Sequence, residues 1–269
     1  MRRIEISAGI FAALLLGAPA VADDAPFLGT DPASVMAKGE KSIQQWLVFG
    51  HGHCKESFNS FQSQTEFDYG VTDRLQVAVS LLYDWDRTHP QGEASVQTSL
   101  VGLQGEAVWS VIAPDKGPLG VAIAVDPAFN PSSRAIAFRL LFTTYVAHFE
   151  NVLNINFENS WDKDGFGHWQ DSSAIVFNYG LAHALNKNWT LGVEVGNEFA
   201  FNAMLGNADL GTLASTFYAG PTVQYAGETA TISLGVQTQL PLSTGDHVEN
   251  GYRVDAERWR VALRVSRSL

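Results

Sequence analysis

Cysteine is almost absent: Cys54 stands alone in 269 residues. That excludes a disulfide framework and a Cys-rich zinc module. Basic residues are scarce, 17 Lys and Arg against 28 Asp and Glu, and the formal net charge is −11. Phosphate neutralisation needs clustered Lys and Arg, so nucleic acid is not an expected partner. Long apolar runs are missing as well. After Ala22 nothing approaches the ~20 consecutive apolar residues of a membrane-spanning helix. Yet hydrophobic residues make up 46% of the chain, too many for a disordered one. They form either one soluble core or a pattern with a period that averaging over a window conceals.

The start of the chain carries a targeting signal. Met1-Arg2-Arg3 is basic, Ile6 to Leu16 is mostly apolar, and Ala20-Val21-Ala22 has the small-x-small form of a cleavage site. This predicts a secretory signal peptide over residues 1–22; an N-terminal membrane anchor is disfavoured by the short apolar core and the good cleavage motif. Residues 23–40, with two Pro, two Gly and no clear period, read as a periplasmic lead-in. The remainder, 41–269, reads as one domain.

That domain has period two. Leu75, Val77, Val79, Leu81, Tyr83 and Trp85 alternate with Gln76, Ala78, Ser80, Leu82 and Asp84. Gln62, Gln64, Glu66 and Asp68 oppose Phe61, Ser63, Thr65, Phe67 and Tyr69. Trp259, Val261, Leu263 and Val265 oppose Arg258, Arg260, Ala262, Arg264 and Ser266. A strand separates such faces cleanly, whereas a helix scrambles them. The polar faces are Gln, Asn, Ser, Gly, Glu and Arg with almost no Lys. A soluble sandwich tends to show water a face of Lys, Glu and Thr; small and pairable residues fit a crowded polar lumen. The expected fold is all-β, a single antiparallel transmembrane β-barrel in the bacterial outer membrane.

Twelve segments show the pattern, near 41–50, 58–70, 74–85, 94–111, 119–126, 135–147, 152–161, 172–185, 189–199, 215–225, 229–240 and 255–268. Ten- and fourteen-strand arrangements stay open, because the fourth and eighth segments are long. Connections alternate between tight turns such as Val71-Thr72-Asp73 and Asn186-Lys187-Asn188, and longer loops such as Asp162 to Asp171. Short periplasmic turns and long outer loops are the rule in such barrels. Aromatics collect at both strand ends: Trp85, Trp161 and Phe199 outside, Tyr69, Trp109, Trp189 and Tyr225 inside, as two interfacial girdles require.

Lys38-Gly39-Glu40, Gln45-Trp46 and the run Gln64 to Gln76, with Tyr69-Gly70-Val71-Thr72-Asp73-Arg74-Leu75-Gln76 at its end, resemble the outer-membrane barrels grouped as phenol meta-pathway transporter-like proteins and their uncharacterised relatives. The motif covers about the first two hairpins. The resemblance implies transport of small organic compounds and carries no catalytic residues. Many such barrels end on an aromatic; this chain ends Arg267-Ser268-Leu269.

Chemistry-bearing clusters are few. His51, His53 and Cys54 suit a soft metal, but no fourth ligand is near, so a solvated loop is expected. Asp162-Lys163-Asp164-Gly165 starts like a calcium loop, yet its twelfth position is Ser173 rather than Glu. No outward-facing His-x-Ser pair supports a lipid hydrolase, so no enzyme, cofactor or metal is expected. The lumen-facing charges are the candidate site: Glu66, Asp68, Glu106, Glu158, Glu194 and Glu198 against Arg139, Arg258, Arg260 and Arg264. They form either a selective constriction or struts that plug the bore. The Arg residues of the last strand are expected to face Glu66 and Asp68. The reading is thus a passive channel for small organic solutes, or a plugged barrel acting structurally or through its loops. Expected partners are outer-membrane lipid and lipopolysaccharide, the barrel-assembly machinery and the solute.

Overall fold

The computed structural model describes residues 26–52, 57–89, 95–164, 166–201, 212–245, 248–254 and 256–269. The expected signal peptide therefore lies outside the described residues, as do His53 and Cys54. Eleven long strands follow in order: β1 (Lys41–Gly52), β2 (Ser57–Thr72), β3 (Leu75–His89), β4 (Ser95–Ile112), β5 (Gly120–Phe129), β6 (Ser133–Val146), β7 (Phe149–Lys163), β8 (Trp169–Ala184), β9 (Trp189–Phe201), β10 (Thr212–Ala226) and β11 (Thr231–Gln239). Three two-residue strands come next, β12 (Thr244–Gly245), β13 (Val248–Glu249) and β14 (Tyr252–Arg253), and then β15 (Glu257–Ser268).

Each long strand pairs antiparallel with its predecessor, and β15 pairs with both β11 and β1. The sheet is a closed barrel of twelve strands, and no helix occurs among the described residues. Closure matters because hydrocarbon offers no partner for an unpaired strand edge. The twelve segments expected from the alternation are the twelve barrel strands, which removes the ten- and fourteen-strand alternatives.

The faces are inverted relative to a soluble protein. Val79 is 60% exposed while the next residue, Ser80, is 1% exposed. Leu81, Leu103, Ile123, Phe138, Leu191 and Leu234 all project outward. Among the most buried side chains are Asp68, Ser80, Asn154, Thr143, Glu194 and Ser233. The outer face meets lipid and needs no packing partner; the inner polar groups must satisfy one another. At the short-turn end Trp189 packs at a tilt against Tyr225, ring centroids 4.9 Å apart, and Trp109 is exposed. At the other end Phe199 packs edge-on against Phe177 and Phe217.

One expected loop is strand. Pro127 and Ala128 lie within β5, and the outer connection to β6 is only Asn130 to Ser132. The Asn130 side chain accepts from the Ser132 amide, which tightens that turn. Pro127 has no N–H to donate, and the β4–β5 register correspondingly skips from Gln104↔Ala128 to Ala107↔Val125. The proline sits where its strand is unpaired on one side. Within the β11–β15 loop, Asn250 and Gly251 both take positive φ, 53° and 81°, and close the β13–β14 hairpin. That is the two-residue turn Asn-Gly favours.

Candidate functional site

The lead-in does not hang in the periplasm. Pro26 to Ala37 lies inside the short-turn half of the bore, held by side chains of the barrel wall that bind its backbone. Glu194 accepts from the amides of Leu28 (3.3 Å) and Gly29 (2.8 Å) and from the Thr30 hydroxyl (2.5 Å). Asn178 donates to the Gly29 carbonyl. Asn154 accepts from the Asp31 amide at 2.7 Å and donates to the Asp31 carbonyl at 2.9 Å, as a neighbouring strand would. Thr143 accepts from Ala33, Ser110 donates to it, and Gln76 accepts from Met36. A backbone buried without such partners would be costly; here the wall residues that alternate inward supply them.

Apolar contacts complete the grip. Phe27 is fully buried with Val152 and Ala182. A Cβ on Gly180 would come within 2.6 Å of its ring, and one on Gly192 within 3.3 Å. Gly235 makes the same kind of room for Leu28. Ala33 packs with Val108, Ala122, Ala124 and Leu141. These small residues on the inner faces of β5, β8, β9 and β11 are the mould of the plug.

A charge lock sits above it. Arg139 on β6 pairs with Glu106 on β4, with Asp126 on β5 (2.6 Å) and with Asp31 of the plug (2.6 Å). Arg264 on β15 also reaches Asp31, at 3.6 Å. The plug is thus bound to opposite sectors of the wall.

The structure places the ten sequence-derived charges as follows. Glu66, Glu106, Arg139, Glu158, Glu198, Arg260 and Arg264 line a cavity of about 990 Å³ in the bore, floored by Leu28, Asp31 and Val35 of the plug. Glu194 is buried as the plug's clamp. Arg258 stacks on Tyr252 of β14. Asp68 is fully buried and accepts from Ser42, Gln44 and Gln76. Glu66 accepts from Ser80 and Gln64. Among the described residues, Glu66 and Asp68 accept from hydroxyls and amides rather than from the last strand's Arg residues, contrary to the expectation. Hydroxyls and amides on β1, β2 and β3 satisfy those acids locally, and Arg264 is drawn to the plug's Asp31. Reading the barrel wall alone missed Asp31. Its signal was an apolar Phe27-Leu28 pair in a polar segment, with glycines at inward positions of β8, β9 and β11 to receive it.

Two of the loop candidates lie among the described residues. His51 Nδ1 bonds Asn59 at 2.8 Å, and its ring packs on Trp259. Asp164 Oδ1 accepts from the amides of His168 and Phe166 and builds an outer turn. The His168 amide, first among these bonds, holds the Asp164 carboxyl below the usual aspartate range.

Residues 19–136 match a family described as a family of unknown function (DUF6662). No curated protein shows significant sequence similarity to the chain. Among solved structures, the COG4313 outer membrane channel from Pseudomonas putida F1 superposes with a TM-score of 0.64 at 10% identity, over 88% of this chain and 98% of that one. The NanC porin gives 0.54 at 10% identity, over 85% and 100%. The translocator domain of the autotransporter NalP from Neisseria meningitidis gives 0.52 at 10% identity, over 87% and 88%. The chain has the fold of an outer-membrane β-barrel. The likeness carries fold and not substrate, since the similar structures include both channels and a translocator domain.

Proposed function

We propose that the protein is a non-enzymatic, passive conduit for small organic solutes across the bacterial outer membrane, and that its N-terminal segment sets how far the bore is open. The observation that carries this reading is the cavity of about 990 Å³ inside the barrel, lined by charged and amide side chains and closed below by a segment of the chain itself. That volume falls in the range of small-molecule pockets. The similar channel structures from other proteins support the same reading, as does the resemblance of the first hairpins to phenol meta-pathway transporter-like barrels.

A second reading is supported by the plug itself. Its backbone and side-chain bonds are numerous enough to make a permanently closed barrel that serves the membrane structurally or through its outer loops. Recording in planar bilayers separates the two. A conduit shows discrete conductance steps in the mature wild type and takes up small solutes in proteoliposomes. A closed barrel shows neither, and gains conductance only when Asp31→Ala and Phe27→Ala together release the plug.

A further inference from the structure

The guanidinium of Arg260, on the cavity wall, is held by uncharged neighbours. Its Nε donates to Gln237 Oε1 at 2.6 Å. Its guanidinium carbon lies 4.4 Å from the centroid of the Tyr218 ring. The bond and the stack fix the plane of the group without using its terminal nitrogens. Among the described residues no carboxylate lies within ion-pair distance of Arg260. Its cross-strand partners are Gly50 on β1 and Gln237 on β11, neither of which is acidic. The result is an oriented fork of donors on the wall of the 990 Å³ cavity.

We propose that Arg260, braced by Tyr218 and Gln237, is the solute-binding residue of the bore, and that its ligand is a small monocarboxylate with an apolar body. This deepens the conduit reading and rests on it. A planar guanidinium with its Nη1/Nη2 edge free matches a carboxylate bidentately, which a point charge such as Lys does not. The apolar body follows from the same cavity, which Trp46, Val48, Val176 and Leu28 line. A single negative charge follows from the other walls. Glu66, Glu158 and Glu198 also face the cavity, so a dianion meets repulsion that a monoanion with its one carboxylate in the fork avoids. The site also touches the plug's anchor: the Gln237 amide that accepts from Arg260 donates its Nε2 to Glu194 at 2.8 Å, and Glu194 holds Leu28, Gly29 and Thr30.

The test is calorimetric titration of the full mature protein in detergent with benzoate, benzyl alcohol and terephthalate. Wild type is expected to bind benzoate at least about tenfold more tightly than the uncharged or doubly charged probe, the scale of one charge-assisted bidentate contact. Arg260→Gln removes that preference, and Arg260→Lys, which keeps the charge and loses the fork, retains only part of it. Arg260→Lys also serves if Arg260→Gln fails to refold. Equal binding of benzoate by wild type and either variant overturns the proposal, as does a wild type with no preference among the three probes. Uptake of benzoate by proteoliposomes is measured in parallel. Arg260-dependent binding without uptake sustains the site and overturns the conduit reading; uptake with Arg260-independent binding sustains the conduit and overturns the site.

Discussion

Arg139 and Arg260 both project into the bore from barrel strands, and they meet opposite surroundings. Arg139 rises from β6 beside Asp126 on β5 and Glu106 on β4, and takes Asp31 of the plug as a third acid. Arg260 rises from β15 between Gly50 and Gln237 and stacks on Tyr218. The first is saturated and holds a segment of the chain; the second is held and keeps its donor edge for something else. The difference lies in which residues the neighbouring strands present at the same level, since cross-strand pairs set what a side chain on a sheet can reach. One arginine makes a strut and the other makes a site, although both lie on alternating strands that look equivalent.

The largest effect is expected at the strut. Arg139→Gln leaves Glu106 and Asp126 in the bore without their cation and Asp31 with Arg264 alone, and should cost about 3–5 kcal/mol, the scale of a buried pair broken on one side. It is read as a fall in the urea midpoint of refolded protein. Neutralising the acids as well, in Arg139→Gln with Glu106→Gln and Asp126→Asn, should recover most of the loss. If it does not, Arg139 acts through packing rather than charge.

Next comes the plug that Arg139 holds. Phe27→Ala removes a fully buried ring and should weaken docking by about 3–5 kcal/mol, as in truncations of core Phe. The barrel itself should remain folded, because its strand ladder is closed without the plug. Faster protease cleavage within residues 26–38, with unchanged β-sheet circular dichroism, is the expected signature. Unfolding of the whole barrel would mean that plug and wall are one cooperative unit.

The lipid face gives a control of intermediate size. Val79→Arg places a charge among exposed apolar side chains and should cost about 2–4 kcal/mol at mid-membrane depth. Gln76→Arg, on the inner face, should cost less in the same refolding titration. Equal losses would contradict the register in which Val79 pairs with Phe67 and Gly105.

Arg260→Gln should change stability by about 1–2 kcal/mol, since the residue gives up one hydrogen bond and a ring contact but strands no acid. A loss as large as that of Arg139→Gln would erase the contrast between strut and site.

The smallest effect concerns the outer turn at Asp164. Its carboxyl is held below the usual aspartate range by backbone amides. A depressed folded value means that the stabilisation is present above the unfolded aspartate value and is lost as pH falls through the lower, folded one. The protection of the Phe166 and His168 amides, measured against their intrinsic exchange rate at each pH, should therefore fall at acid pH, and Asp164→Ala should show that lower protection at neutral pH too.

The twelve strands, the lipid-facing and bore-facing sides and the two aromatic girdles could all be read along the chain. Period two and the turn residues are local properties, carried by neighbours a few positions apart. Leu75 to Trp85 shows its two faces without any knowledge of what lies beside it. The destination of residues 26–38 could not be read that way. It depends on closure, which sets Gly180, Gly192 and Gly235 around Phe27 and Leu28, and Asn154, Thr143 and Ser110 along the backbone that follows. The pairing of the bore charges was hidden for the same reason. The alternation along the strands puts Glu66, Asp68, Arg260 and Arg264 on inward positions. Pairing of the neighbouring strands β1, β2 and β3 decided that hydroxyls and amides would satisfy the first two, and only the closed barrel decided that Arg264 would reach Asp31 and that Arg260 would keep its donor edge, because those contacts form only once β15 has docked between β11 and β1.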